Sequence, residues 1–172
     1  FSGYLLLYRL YLCIGGLILN DRDGIMMRRA LAHAEIVATL GEVPVSAVVC
    51  LGDEIIAEAY NRREIGKNAL AHAELLALDA ACQTLGGWRL HKCDLYVTLE
   101  PCPMCTGAII NARIRQVIFG AWDPKAGCLG SVIHMQDLPF NHKPLVHGGL
   151  LESECSGILK SFFAQLRRRQ LS

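Results

Sequence analysis

The order of the apolar segments between positions 45 and 147 constrains the fold of this chain more than any other feature. Residues 45–51 form a continuous apolar run, the pattern of a strand buried on both faces. Gly52 and Asp53 make a tight-turn pair, and 54–60 reads as a second strand, so the two are predicted to form a hairpin. Beyond the hairpin, strands and helices alternate. Residues 71–85 are rich in Ala and Leu and stop at Gly86-Gly87, as a helix does. Residues 94–99 read as a third strand, and 103–113 as a helix with Pro103 tolerated in its first turn. Short strands are predicted at 116–120 and 143–147, and a final amphipathic helix at 152–169. Ahead of all this, a stripe of Ala30, Leu31, Ala34, Val37 and Ala38 predicts a helix over 28–40. The segment 61–68 reads as a polar loop carrying Arg62, Arg63 and Lys67. A hairpin followed by alternating units gives one α/β domain, a mixed five-stranded sheet with helices on both faces in three layers.

Composition sets the outer limits. A length of 172 residues suits one domain, and a hydrophobic fraction of 52% supplies a core and excludes a largely disordered chain. The net charge of +1 does not by itself announce a polyanionic partner, although 160–169 holds four cations and no acid, ending in Arg167-Arg168-Arg169. On charge alone such a run is a solvated helix face. Eight cysteines in a core-rich chain do not make a secreted disulfide scaffold, and a reducing, cytoplasmic setting is expected. Residues 4–19 are nearly all apolar but short for a membrane span and broken by Arg9; no basic leader or small-residue cleavage site marks a signal peptide. Residues 1–25 are therefore expected to be an apolar extension outside the fold and 26–172 the domain. A weak anchor is the alternative, and no stable membrane association is expected.

Two short segments carry the chemistry, His72-Ala73-Glu74 and Pro101-Cys102-Pro103-Met104-Cys105. One imidazole and two thiols are three ligands of the kind zinc prefers, and a catalytic zinc keeps three protein ligands and leaves its fourth position to water. Cys102 and Cys105 are three apart at a predicted helix start, where they share a face and the dipole favours the thiolate. Two thiolates cancel the ion's formal charge, so water there is acidified less than beside three neutral imidazoles, and a carboxylate such as Glu74 has to carry the proton. Positions i and i+2 diverge on a regular helix, so His72 and Glu74 converge only within a first helical turn. A Cys-x-x-Cys alone is also the pattern of a redox pair or of half a structural zinc site. Neither of those needs a His-x-Glu on a preceding helix. Met104 reads as packing.

The combination, with the flanking segments Glu42-Val43-Pro44-Val45, Tyr60-Asn61-Arg62, 95–102, Gly120-Ala121, Asp123-Pro124-Lys125, Asn141-His142-Lys143 and Phe162-Phe163, resembles the bacterial tRNA adenosine deaminases of the cytidine deaminase-like zinc superfamily over nearly all of 27–169. That resemblance implies a three-layer cytidine deaminase-like fold, one zinc (Zn2+) per subunit on His72, Cys102 and Cys105, and Glu74 as proton shuttle. It further implies a homodimer, a tRNA anticodon stem-loop as partner, and conversion of the wobble adenosine to inosine. Asn61 then matches the asparagine that contacts the nucleoside, though after a strand it is also an ordinary turn residue. Asp123, Lys125 and Asn141 match positions near the anticodon backbone or ribose, and the amides of Ala73 and Cys102 are candidate oxyanion-type donors. Two positions depart from the family pattern, Ser46 in place of glycine and Leu70 in place of a polar residue. His33, His91, His134 and His147 fit no motif. Two competing readings share the motif. One is deamination of a free base or nucleotide such as guanine or cytosine, and the other is a non-catalytic zinc module that binds RNA.

Overall fold

The computed structural model describes residues 12–14, 17–19 and 21–170. Strands β1 (Leu12–Ile14) and β2 (Leu17–Leu19) pair antiparallel as a small sheet of their own. The remainder of the expected apolar extension lies outside the described residues up to position 20. Helix α1 spans Asp21–Thr39, so it starts a full two turns before the apolar stripe, and the expected division after residue 25 falls inside a continuous helix. The cause is tertiary. Arg22 Nη1 donates to Asp94 Oδ2 at 2.9 Å, its Nη2 reaches the Gly52 carbonyl, and the Tyr96 hydroxyl donates to the buried Asp23 at 2.6 Å. Polar residues invisible to a hydrophobic stripe thus extend the helix.

Strands β3 (Ser46–Leu51) and β4 (Glu54–Tyr60) form the expected hairpin. A one-turn helix α2 (Arg63–Gly66) occupies what reads as a plain loop in the sequence. Helix α3 (Ala73–Leu85), strand β5 (Cys93–Leu99), helix α4 (Pro103–Asn111), strand β6 (Gln116–Ala121), strand β7 (Leu145–Gly148) and helix α5 (Glu152–Gln170) complete the order. The sheet runs β4-β3-β5-β6-β7, antiparallel on the hairpin side and parallel from β5 to β7.

Strand pleat sorts the core. Ala47, Val49, Leu95, Val97, Val117 and Phe119 point to one face and pack with Ala73, Ala77, Leu78 and Ala81 of α3 and Ile109 of α4. Val48, Cys50, Tyr96 and Ile118 point to the other face, against Met26, Met27, Ala30 and Leu31 of α1 and Cys155 of α5. Both faces are covered, which is why β3 reads as an unbroken apolar run rather than an alternating one. Each fully buried aliphatic side chain stabilises this sandwich by about 1.5–3 kcal/mol. Among the described residues no helix is long and apolar enough to cross a membrane.

Candidate active site

The first residues of α3 and α4 face each other, and their N-caps are His72 and Cys102. Both N-caps have extended backbone, and neither caps its helix with its own side chain, so the imidazole and the thiol are left for other work. For α3 the missing cap comes from another element. Asn61, 5% exposed, accepts the Ala73 N–H on Oδ1 at 3.0 Å. Pro103 opens α4, where its missing N–H costs nothing, and Gly86 ends α3 in the left-handed conformation that glycine adopts without strain.

This arrangement brings His72 Nδ1 to 3.6 Å from Cys102 Sγ and 3.5 Å from Cys105 Sγ, and all three atoms lie within 4.8 Å of one another. Among the described residues no other group of three such side chains converges. The cluster could hold a metal ion. The Cys105 thiol donating toward it, together with His72, holds Cys102 down to about 4, while the same bond and burial hold Cys105 well above an ordinary thiol. Hydrogen bonding to Cys102 raises the imidazole. The first turn of α3 also turns Glu74 inward, 4% exposed, with Oε2 hydrogen-bonded to nothing. Burial pushes its carboxyl up to about 7. A buried carboxylate oxygen without a partner is rare enough to need a reason, and here it lies beside Cys105.

The remaining expected residues are placed unevenly. Asn61 lies against the start of α3. The Ala73 amide, expected as a donor to substrate, is engaged with Asn61 instead. Asp123 and Lys125 sit on a loop joined to the Cys102 turn by the bond from Cys128 N–H to the Pro101 carbonyl, 3.0 Å. Asp123 is occupied in shaping that loop, since its Oδ1 accepts the N–H groups of Lys125 at 2.9 Å and Ala126 at 3.2 Å. Lys125 is exposed and lines a cavity of about 590 Å3 together with Trp122, Lys160, Phe163 and Arg167. Asn141 accepts from Arg113, just past the C-terminal end of α4, at 2.7 Å. Of the two departures, Ser46 is buried with its hydroxyl on the Ala59 carbonyl, and Leu70 is exposed.

Two buried carboxylates beside the site escape a reading of the sequence. Glu100, 2% exposed, accepts the N–H groups of Asp123, Leu129 and Ser131 at 3.0 Å each, and the Ser131 hydroxyl. The loop fits so closely that a Cβ at Gly127 would overlap the Glu100 carboxylate. Glu42, fully buried, accepts the N–H groups of Glu64 at 2.8 Å and Ile65 at 3.1 Å. Both lie in segments that carry the family resemblance, Glu42-Val43-Pro44-Val45 and 95–102, but nothing local in the sequence shows which loop amides they accept.

Residues 20–167 match the MafB19-like deaminase family. The chain is 47% identical over 150 residues to a tRNA-specific adenosine deaminase of Bacillus subtilis (strain 168), covering 87% of this chain and 93% of that one. A solved structure from work on A-to-I editing by tRNA:A34 deaminases at the wobble position superposes with a TM-score of 0.76 at 43% identity, over 78% of this chain and 99% of that one. A guanine deaminase structure from Bacillus subtilis superposes with a TM-score of 0.57 at 32% identity, over 83% of this chain and 92% of that one.

Proposed function

We propose that this chain, which belongs to the family of tRNA-specific adenosine deaminases, hydrolyses the wobble adenosine of a tRNA anticodon to inosine. The observation that carries the reading is the convergence of two helix starts. They place His72, Cys102 and Cys105 together and aim an unpartnered, buried Glu74 oxygen beside them.

The donor set fits zinc. A tetrahedral ion with bonds of about 2.3 Å to sulfur and 2.0–2.1 Å to nitrogen sets N···S separations near 3.5 Å, the spacing found between His72 and the two cysteines. We infer that His72, Cys102 and Cys105 hold one zinc per subunit, which supplies Lewis-acid activation of water. Glu74 removes a proton from the attacking water and returns it to the departing amino group, so that adenine C6 gains oxygen, the C–N bond breaks, and ammonia leaves. Its unpartnered oxygen is the acceptor this needs, and its raised affinity for protons suits both halves of the transfer. Asn61 keeps Oδ1 on the Ala73 amide, which leaves its Nδ2 hydrogens as donors for the nucleoside. Lys125, Lys160 and Arg167 offer charge for the RNA backbone around the extruded base.

Exposed apolar side chains at Ile65 of α2 and at Leu70, Val132 and Ile133 supply area for a homodimer. The enzyme then acts in the cytoplasm, where its substrate is. The free-base reading is weaker, because the guanine deaminase is the more distant relative in both identity and superposition. A non-catalytic zinc module has no use for Glu74. The test is direct: purified protein is incubated with total tRNA, an anticodon stem-loop, free nucleosides and free bases, and inosine and ammonia are scored. Inosine in the stem-loop is expected. Turnover of guanine with no inosine in the stem-loop overturns the reading.

A further inference from the structure

We propose that Glu42 and Glu100 are positioning residues for the RNA substrate, each fixing one cation-bearing loop to the turn that carries a metal-binding side chain. The proposal rests on the tRNA reading above for the identity of what the loops hold.

The two carboxylates are matched across the site. Glu42 follows α1 and accepts the first two amides after Arg63, so it pins α2 and with it Arg62, Arg63 and Lys67. The pinned loop is continuous with the His72 turn. Arg62 N–H donates to the Ala71 carbonyl at 2.9 Å, and His72 N–H to the Leu70 carbonyl at 2.8 Å. Glu100 follows β5 and gathers four donors from the loop that carries Asp123 and Lys125. That loop is continuous with the Cys102 turn through Cys128 and Pro101. Each carboxylate is buried; α2 has no buried residue of its own, and in the second loop Cys128 and Leu129 are buried while the tip at Pro124 and Lys125 is exposed.

A buried carboxylate has to be compensated, and here the compensation is several charge-assisted backbone N–H donors from one loop, at 2.8–3.1 Å. The loop gains a fixed conformation in return. Neither carboxylate is part of the metal-binding cluster or the proton path. Their effect on the reaction therefore runs through where the loop cations sit when the anticodon backbone arrives. Holding those cations in place removes an ordering cost from binding rather than from the chemical step.

The test uses Glu42→Gln and Glu100→Gln in the full chain, with Ser131→Ala as a milder probe of the second loop. In each glutamine variant an NH2 group replaces one accepting oxygen and faces N–H donors. Local amide exchange at 64–65 or at 123–131 should become at least about tenfold faster, the scale of one lost hydrogen bond to a charged group. Bound zinc should stay at the wild-type ratio. With an anticodon stem-loop, KM should rise about tenfold while kcat falls less than threefold. Ser131→Ala should move KM in the same direction by a smaller factor, and it keeps the idea testable if Glu100→Gln fails to fold. Unchanged exchange overturns the anchoring, and faster exchange with unchanged KM overturns positioning. A fall in kcat that parallels zinc loss overturns it too, because it shows support of the metal cluster instead. Should wild-type protein leave the stem-loop unmodified, the tRNA reading falls, and amide exchange alone then decides whether the anchors exist.

Discussion

The bottom of the site and its rim are built on different terms. At the bottom, His72, Glu74, Cys102 and Cys105 sit within the first turns of α3 and α4, elements packed against a sheet core. At the rim, α2 buries no residue and the 122–131 loop reaches the core only through Cys128 and Leu129, and each donates hydrogen bonds to a single carboxylate. Groups that must meet the reacting atoms to within fractions of an ångström are placed on rigid elements. Groups that meet a flexible polymer are placed on loops with one strong tether each.

The difference predicts a graded response to mutation. The largest effect is expected at the bottom. His72→Ala, Cys102→Ala or Cys105→Ala should each lose both metal and turnover, measured by elemental analysis beside inosine formation, and full zinc retention in both cysteine variants would count decisively against the ligand assignment. Next comes Glu74→Ala, which should keep zinc and fold yet lose at least about 10²–10⁴ in rate, the scale of a positioned proton donor. A variant retaining a third of wild-type activity would remove Glu74 from the mechanism.

Asn61 straddles the two regions and can be split chemically. Asn61→Asp keeps the oxygen that caps Ala73 but removes the Nδ2 donors, so stability in denaturant unfolding should hold while activity falls. Asn61→Ala should lose activity and in addition about 1 kcal/mol of stability, as for a lost helix cap. Equal activity losses with equal stability in both variants would deny the capping role. The smallest effect on chemistry is expected at the rim. Changing Arg167, Arg168 and Arg169 together to alanine should leave zinc and kcat in place, weaken stem-loop binding, and flatten its salt dependence by about 0.7 in log–log slope for each phosphate no longer neutralised. A slope identical to wild type means these arginines meet no phosphate.

The same division decides what could be read from the sequence. The bottom is legible because His-x-Glu and Cys-x-x-Cys are local patterns whose spacing maps directly onto a helical turn. The hairpin is legible for the same reason, with β4 running over the expected residues on the far side of Gly52 and Asp53. The rim is not local. Helix α2 exists through Glu42, more than twenty positions earlier, and the 122–131 loop is shaped by Glu100. The start of α1 depends on Asp94 and Tyr96, over seventy positions away. Asn61 is an ambiguous turn residue until Ala73 is placed beside it, and Asn141 belongs to a matching segment yet settles against Arg113 at the other end of α4.

The lack of a side chain at Gly127 has a consequence for how this protein tolerates change. Any replacement there must displace the Glu100 carboxylate, since the space a Cβ needs is already filled. Among randomly mutated copies selected for editing, position 127 should be nearly as invariant as a ligand, although it touches neither metal nor nucleoside. A survey of tolerated substitutions would file it with the catalytic residues; its true company is with the loop anchors, and selection for RNA affinity rather than for turnover is what would reveal it.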